Sequence, residues 1–272
     1  MTGSAVRRGH ERVRRLVASA ALSTDVPWLL LVTAPVRDAH GSFDDAGSAR
    51  LRDWARDQVA SWPGPVPIAD EPPLVQADRV VFSSASASAS ASAPSSDAPG
   101  ARYRCEFHAD GSALIALAAG GFRENPVDGV PVWAIGEGAI AWITIAALRL
   151  AAAYADRAGV LGGAVVETAV TPYGDDGASP IEVWNHDRHT YGPAGCRLVA
   201  VEPSRRVADL SRCLSAGLAG VARPSVVDVL SRFGLSGERH IDQSGVIRRG
   251  NFTGFDDHIL AWTEAIGIPS RP

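Results

Sequence analysis

Two histidines and an aspartate share one short polar run, His186-Asp187-Arg188-His189, and are the residues whose types best suit chemistry. Imidazole and carboxylate together can hold a divalent metal, and a bound metal activates water for hydrolysis near neutral pH. His108, in a predicted hairpin, could join them across a sheet. The spacing His186-x-x-His189 is not the helical H-E-x-x-H pattern, so it lacks the i,i+4 geometry and the adjacent general base. A polar surface loop with two ordinary histidines is the plainer reading. Cys196 with His189 could form a nucleophile and base, but a cysteine at the mouth of a strand is more often a small buried hydrophobe.

A second chemical candidate is Gly136-Glu137-Gly138-Ala139-Ile140-Ala141, which matches G-x-G-x-x-A between a strand and a helix. In a dinucleotide site such glycines let the backbone approach a pyrophosphate at the helix N-terminus. Three features oppose that use of Gly136 and Gly138. Glu137 would put a carboxylate beside the pyrophosphate. The acidic residue expected about 20 positions later is missing, with Glu167 lying further on. Nothing earlier in the chain resembles a Rossmann unit. A simple strand-to-helix turn in a Gly/Ala-rich chain is the alternative. No G-x-S-x-G, P-loop or paired-cysteine zinc motif occurs, and no cofactor follows from the sequence.

These residues need a scaffold, and the stretch from Val130 to Thr171 looks like its centre. It reads as strand, long apolar helix, strand. Ile140, Ile143, Ala147, Leu150, Ala151, Tyr154 and Ala158 recur at helical spacing, while Trp142, Arg149 and Asp156 form a narrow opposite stripe. Gly159 is placed to end the helix. Charges at Glu137, Arg149, Asp156 and Arg157 interrupt the apolar run, so a buried helix is expected rather than a membrane span of roughly 20 apolar residues.

Upstream, Arg7 to Ala21 reads as a basic amphipathic helix: a solvated face or the remnant of a linker, in preference to a nucleic-acid or membrane-surface contact. Trp28 to Ala34 reads as a strand buried on both faces, and Asp44 or Asp45 to Ser61 as a helix. Trp62 to Pro73 is an irregular connection, and Arg79 to Phe82 a short strand. The Ser/Ala run 83–100 predicts a disordered loop. Tyr103, Cys105 and Phe107 alternate with Arg104, Glu106 and His108, and Asp110-Gly111 predicts a two-residue turn placing Leu114 opposite Phe107 and Ala116 opposite Cys105. The second set forms the polar face, and Gly121 to Gly129 is a loop. Downstream, strands are expected at Ile181–Trp184 and Arg197–Val201. Ser204 should cap a helix carrying Val207, Leu210, Leu214 and Leu218, and Pro224 should sit in the first turn of another. That pair invites a helix-turn-helix reading, but its second helix offers only Ser225, Asp228, Ser231 and Arg232 outward, a poor reader of bases. A tight hairpin at His240–Ile247 and a last helix from Asp256 to Gly267 follow.

The chain has 272 residues, 46% hydrophobic, with a formal charge of −4 and no lysine. There is no global basic field for nucleic acid. Cys105, Cys196 and Cys213 lack any C-x-x-C pairing and suit reduced thiols. No apolar signal segment follows the first turn, so a cytoplasmic location is expected. The runs of strands separated by helices predict an α+β fold: a mostly antiparallel sheet around a long apolar central helix, with a helical C-terminal part, as a single domain over 1-272.

The hairpin YRCEFHADGSALIAL, the segment VWAIGEG opening the central helix, and HIDQSGVIRRGNF followed by a short helix ending in GIP together resemble a region of actinobacterial proteins. That region accompanies Schlafen-type AlbA_2 domains, themselves nucleic-acid-binding modules; the AlbA_2 module itself is not visible in this sequence. The resemblance covers about residues 10 to 269 and carries no catalytic residue. It implies a non-catalytic sensory or protein-interaction module of a bacterial regulatory or defence pathway, with a protein or small-molecule ligand as partner. Neither membrane nor direct nucleic-acid binding is supported. The alternatives are a metal-dependent hydrolase using His186, Asp187 and His189, or a nucleotide-binding domain using Gly136 and Gly138.

Overall fold

The computed structural model describes residues 3–37, 41, 43, 45–64, 66, 68–84, 102–174, 179–185, 190–191, 197–252 and 254–272. Helix α1 (Gly3–Ser19) leads into strand β1 (Trp28–Pro35), and helix α2 (Asp45–Val59) follows. Next come β2 (Leu74–Val75), β3 (Arg79–Ser83), β4 (Tyr103–His108), β5 (Ala113–Ala118), β6 (Gly121–Glu124) and β7 (Pro131–Gly136). The long helix α3 (Glu137–Arg157) opens directly from β7. Strands β8 (Gly163–Val170), β9 (Ile181–Asn185), β10 (Thr190–Tyr191) and β11 (Ser204–Asp209) precede a 3₁₀ turn over Leu210–Leu214. Helix α4 (Leu218–Arg232), β12 (Ile247–Arg248), α5 (Asp256–Ile266) and β13 (Ser270–Arg271) complete the chain.

The fold is α+β. Seven strands form an antiparallel sheet in the order β11-β8-β1-β5-β4-β3-β2. β1 lies between β8 and β5, and all eight of its residues are buried. Side chains alternate between faces. Leu29 and Leu31 join the larger core with α2, α3 and α4; Trp28, Leu30, Val32 and Ala34 join a smaller core with Val13 and Leu16 of α1. α1 therefore packs one face on the sheet and leaves Arg7, Arg8, Arg14 and Arg15 exposed, the solvated basic face that its pattern predicts. Its close approach depends on Gly9, where a Cβ would lie 2.7 Å from Cγ2 of Val165.

α3 supplies most of the larger core. By length and composition it could cross a membrane, yet its apolar window is 78% buried inside the protein. It is a core helix, with Ile143, Ala147, Ala151 and Tyr154 packed inward as its periodicity predicts.

The flanking strands differ from expectation. β8 belongs to the seven-stranded sheet, whereas β7 pairs in parallel with β9 in a second sheet, β10-β9-β7-β6. β7, α3 and β8 do not form one βαβ unit. Residues predicted as a loop at 121–129 begin with β6, which pairs with β7. Arg197–Val201 is not a strand; a single bridge joins Leu198 to Ile181.

The hairpin is real but its register is shifted by one. Cys105 faces Ile115 and Phe107 faces Ala113. The connection is a three-residue loop: His108 N–H bonds the Ser112 carbonyl, and Gly111 takes a left-handed φ of 82°. Such a loop, rather than a two-residue turn, sets which strand residues meet. The expected polar face is also buried: Glu106 is fully enclosed and His108 is 8% exposed.

Ser204 does not cap a helix. It starts β11, which pairs with β8 through Ser204↔Thr168 to Asp209↔Gly163. The cap comes later, where Asp209 accepts the N–H of Ser211 to open the 3₁₀ turn. α4 starts at Leu218, so Pro224 lies inside the helix rather than in its first turn. With its first helix gone, the helix-turn-helix pair is absent from this region. At 240–247 a turn closes with one bridge, Ile241↔Ile247, while β12 pairs in parallel with β13. The Ser/Ala run 83–100 lies outside the described residues from position 85 onward.

Candidate functional site

Among the sequence candidates, His186, Asp187 and His189 lie outside the described residues, as does Cys196. His108 ends β4, and its Nε2 is 3.3 Å from Oε2 of buried Glu106 without the alignment of a hydrogen bond. Its carbonyl accepts the Tyr154 hydroxyl at 2.6 Å. Arg104 and Arg79 also bond Glu106, at 2.7 and 3.1 Å. His108 thus belongs to a structural ion cluster. Among the described residues, no group of three or more His, Cys, Asp or Glu is placed to hold a metal.

Gly136 and Gly138 do sit at the start of α3. The space over Gly138 is filled: a Cβ there would lie 3.3 Å from the Phe252 ring and 3.6 Å from Nε2 of His240. Glu137 is buried and pairs with Arg239 at 3.3 Å. The C-terminal part of the chain thus packs over the start of α3.

The structure instead places an unpredicted cavity between the sheet and two helices. Its volume is about 470 Å³, and β8, β11, α3, α4 and the 3₁₀ turn line it. Small-molecule sites run from ~300 to 1,000 Å³. Leu31, Leu148 and Val166 form an apolar wall. Into that wall are set Thr144 of α3 and Thr168 of β8, 1% and 0% exposed. Neither hydroxyl has a hydrogen-bond partner among the described residues. Leaving a buried polar group unpaired costs about 1–3 kcal/mol. Two such groups lie on this one cavity.

The α4 wall adds a backbone group, on an exposed residue. Gly220 and Pro224 both line the cavity. Proline has no N–H, so the helical bond to the Gly220 carbonyl is missing. The rim is charged. Arg206 donates to Oδ2 of Asp228 at 2.5 Å, and Ser204 Oγ donates to the same oxygen at 2.8 Å, fastening β11 to α4. Arg205 turns to the other face of the sheet and pairs with Glu167. Arg212 is exposed, with no ion pair shown among the described residues. The Asp209 carboxyl at the rim is held below its usual range by the hydroxyl and N–H of Ser211.

None of these residues stood out in the sequence as a site. The available signal was a threonine in an apolar helix, Ile143-Thr144-Ile145, and another in an apolar strand, Glu167-Thr168-Ala169. The chain matches no family model, no curated protein and no solved structure.

Proposed function

We propose that this chain is a non-catalytic sensory module that takes a small molecule into the cavity between β8, β11, α3 and α4. One observation carries the reading: Thr144 and Thr168, buried and with no hydrogen-bond partner for their hydroxyls among the described residues, line the same cavity. A guest held there touches both the central helix and the edge strand β11, so its binding can be read out as a change in how β11 is fastened to α4. A bacterial regulatory or defence setting rests on the resemblance described above. A reducing, cytoplasmic setting is suggested by Cys105 and Cys213, which are free and buried. Burial pushes the Cys213 thiol up to about 12, which suits an inert structural thiol.

The test is a thermal-shift screen with amino acids, hydroxy acids, sugars and nucleobases. A binder of the native state at 100 times its Kd stabilises by about 2.7 kcal/mol, a shift of roughly 5–10 °C at the ~2–4 °C per kcal/mol of a chain this size. The shift should disappear in Thr168→Val. If no compound shifts the wild type, or if every shift survives that substitution, the cavity is not the binding site.

A further inference from the structure

Resting on the cavity reading above, we propose that the guest is a small oxyanion, a carboxylate or a phosphate ester. Its charged group would lie between Arg206 and Arg212, with its polar far end reaching Thr144 and Thr168. The lining is asymmetric in a way that orders such a molecule. Away from the rim the lining combines apolar side chains with the hydroxyl-bearing residues Thr144, Thr168 and Ser225, which suit a hydroxyl or carbonyl group but offer no full charge. The cations are confined to the rim.

Two rim guanidiniums differ in how they are engaged. Arg212 is exposed, with no ion pair shown among the described residues. Arg206 is held by Asp228, but their side chains are 41% and 33% exposed. An ion pair that wet contributes little net stability, so redirecting Arg206 to a guest costs little. A guanidinium meets an oxyanion through two parallel hydrogen bonds, which is stronger than a neutral contact. The carboxylates nearby are engaged in part. Asp209 accepts from Ser211 and also attracts Arg212, Asp228 holds Ser204 and Arg206, and Glu167 pairs with Arg205. Drawing Arg206 off Asp228 would also loosen the β11–α4 fastening, linking the charge of the guest to the signal.

The experiment measures binding of succinate, glutarate, glycerol phosphate and the neutral diamide of succinate to the intact protein by calorimetry. Wild type, Arg212→Gln and Thr168→Val are compared. At least one acid should bind. Arg212→Gln should weaken it about tenfold or more, and Thr168→Val should weaken it as well. A preference for glycerol phosphate identifies a phosphate guest; a preference for succinate or glutarate identifies a carboxylate. If the diamide binds as well as succinate and Thr168→Val abolishes both, the cavity reading stands and the oxyanion inference is overturned. If acids bind but ignore Thr168→Val, the anion stays on surface arginines and the inference fails. It also fails if none of the acids binds.

Discussion

Thr144 on α3 and Thr168 on β8 line one cavity, and neither hydroxyl has a hydrogen-bond partner among the described residues. Valine keeps their shape and removes the polar atom. Thr144→Val and Thr168→Val should therefore each leave the unliganded protein as stable, or up to about 1 kcal/mol more stable, since an unpaired buried group is a liability. Helix propensity barely distinguishes threonine from valine at position 144. Urea melts measure this directly. Gained stability with lost binding is the trade expected where a site, rather than the core, selects the residue. A loss above about 1 kcal/mol would mean that the hydroxyls are engaged in the resting protein.

Glu106 gives a prediction at low pH. Burial by itself would raise its carboxyl, but neighbouring His108 and the guanidiniums of Arg104 and Arg79 outweigh this and hold it below the usual range. A carboxyl depressed on folding contributes stability above its unfolded pKa of about 4.3, and that contribution is lost as pH falls through the folded value. Glu106→Gln should flatten this acid limb of the stability profile. Glu106→Ala should be the more damaging change at pH 7. Its cost should fall below the roughly 3–5 kcal/mol of a fully buried pair, because Arg104 and Arg79 keep 14% and 23% of their side-chain surface exposed. Thermal melts across pH would show a slope unchanged by Glu106→Gln if this account is mistaken.

What the sequence made legible was whatever one segment decides alone. The face of α3 followed from spacing, and Gly267, with φ 68°, ends α5 as expected. The errors arose where distant segments decide. Ser204 has the type of a helix cap, but pairing with Thr168 makes it a strand residue. Pro224 looked like a helix start, yet α4 forms six residues earlier and tolerates the missing bond beside the cavity. Arg104, Glu106 and His108 alternate like a wet face, but Arg104 and Arg79 pair with Glu106 and allow its carboxylate to be buried. The cavity was hidden for a related reason. Its walls come from α3, β8, β11 and α4, and only the topology brings them together.

His240 gives a second, separate pH window. It is fully buried, packs edge-on against Phe252 at 4.7 Å, and its Nδ1 has no partner among the described residues. Burial lowers its pKa from 6.5 to about 4, with Arg239 adding to the effect and the Asn251 carbonyl opposing it. The folded state therefore refuses a proton that the unfolded chain accepts. Stability is complete above about pH 6.5 and is lost as pH falls toward 4, by roughly 3 kcal/mol at about 1.4 kcal/mol per unit. His240→Gln should reduce that slope, although it also lowers stability at pH 7. Urea melts between about pH 7 and 4.5 decide the matter: identical slopes in wild type and variant would show that His240 ionises freely in the fold.

The strongest prediction on the fold concerns α3. Ala147 and Ala151 lie one turn apart, 1% and 0% exposed, on the helix face in the larger core. Leucine forms helices nearly as well as alanine, so any loss from Ala147→Leu or Ala151→Leu is a packing loss. The extra atoms must displace close-packed neighbours, which costs roughly 1–3 kcal/mol. Arg149 is on the other stripe, half-buried, bonded only weakly to Gln58 at 3.3 Å. Burial lowers the pKa of its guanidinium, so the charged form gains nothing from its surroundings. Arg149→Ala should therefore cost less than about 1 kcal/mol. Trp142 on that stripe is covered as a neighbour should be: Trp62 meets it edge-on at 6.1 Å, and Gly64 leaves room that a Cβ, 2.9 Å from the indole, would take. Urea melts of Ala151→Leu and Arg149→Ala separate the two faces. Equal small effects would mean that α3 does not organise the core, whereas a larger loss for Arg149→Ala would place the critical contacts on the Trp142 side.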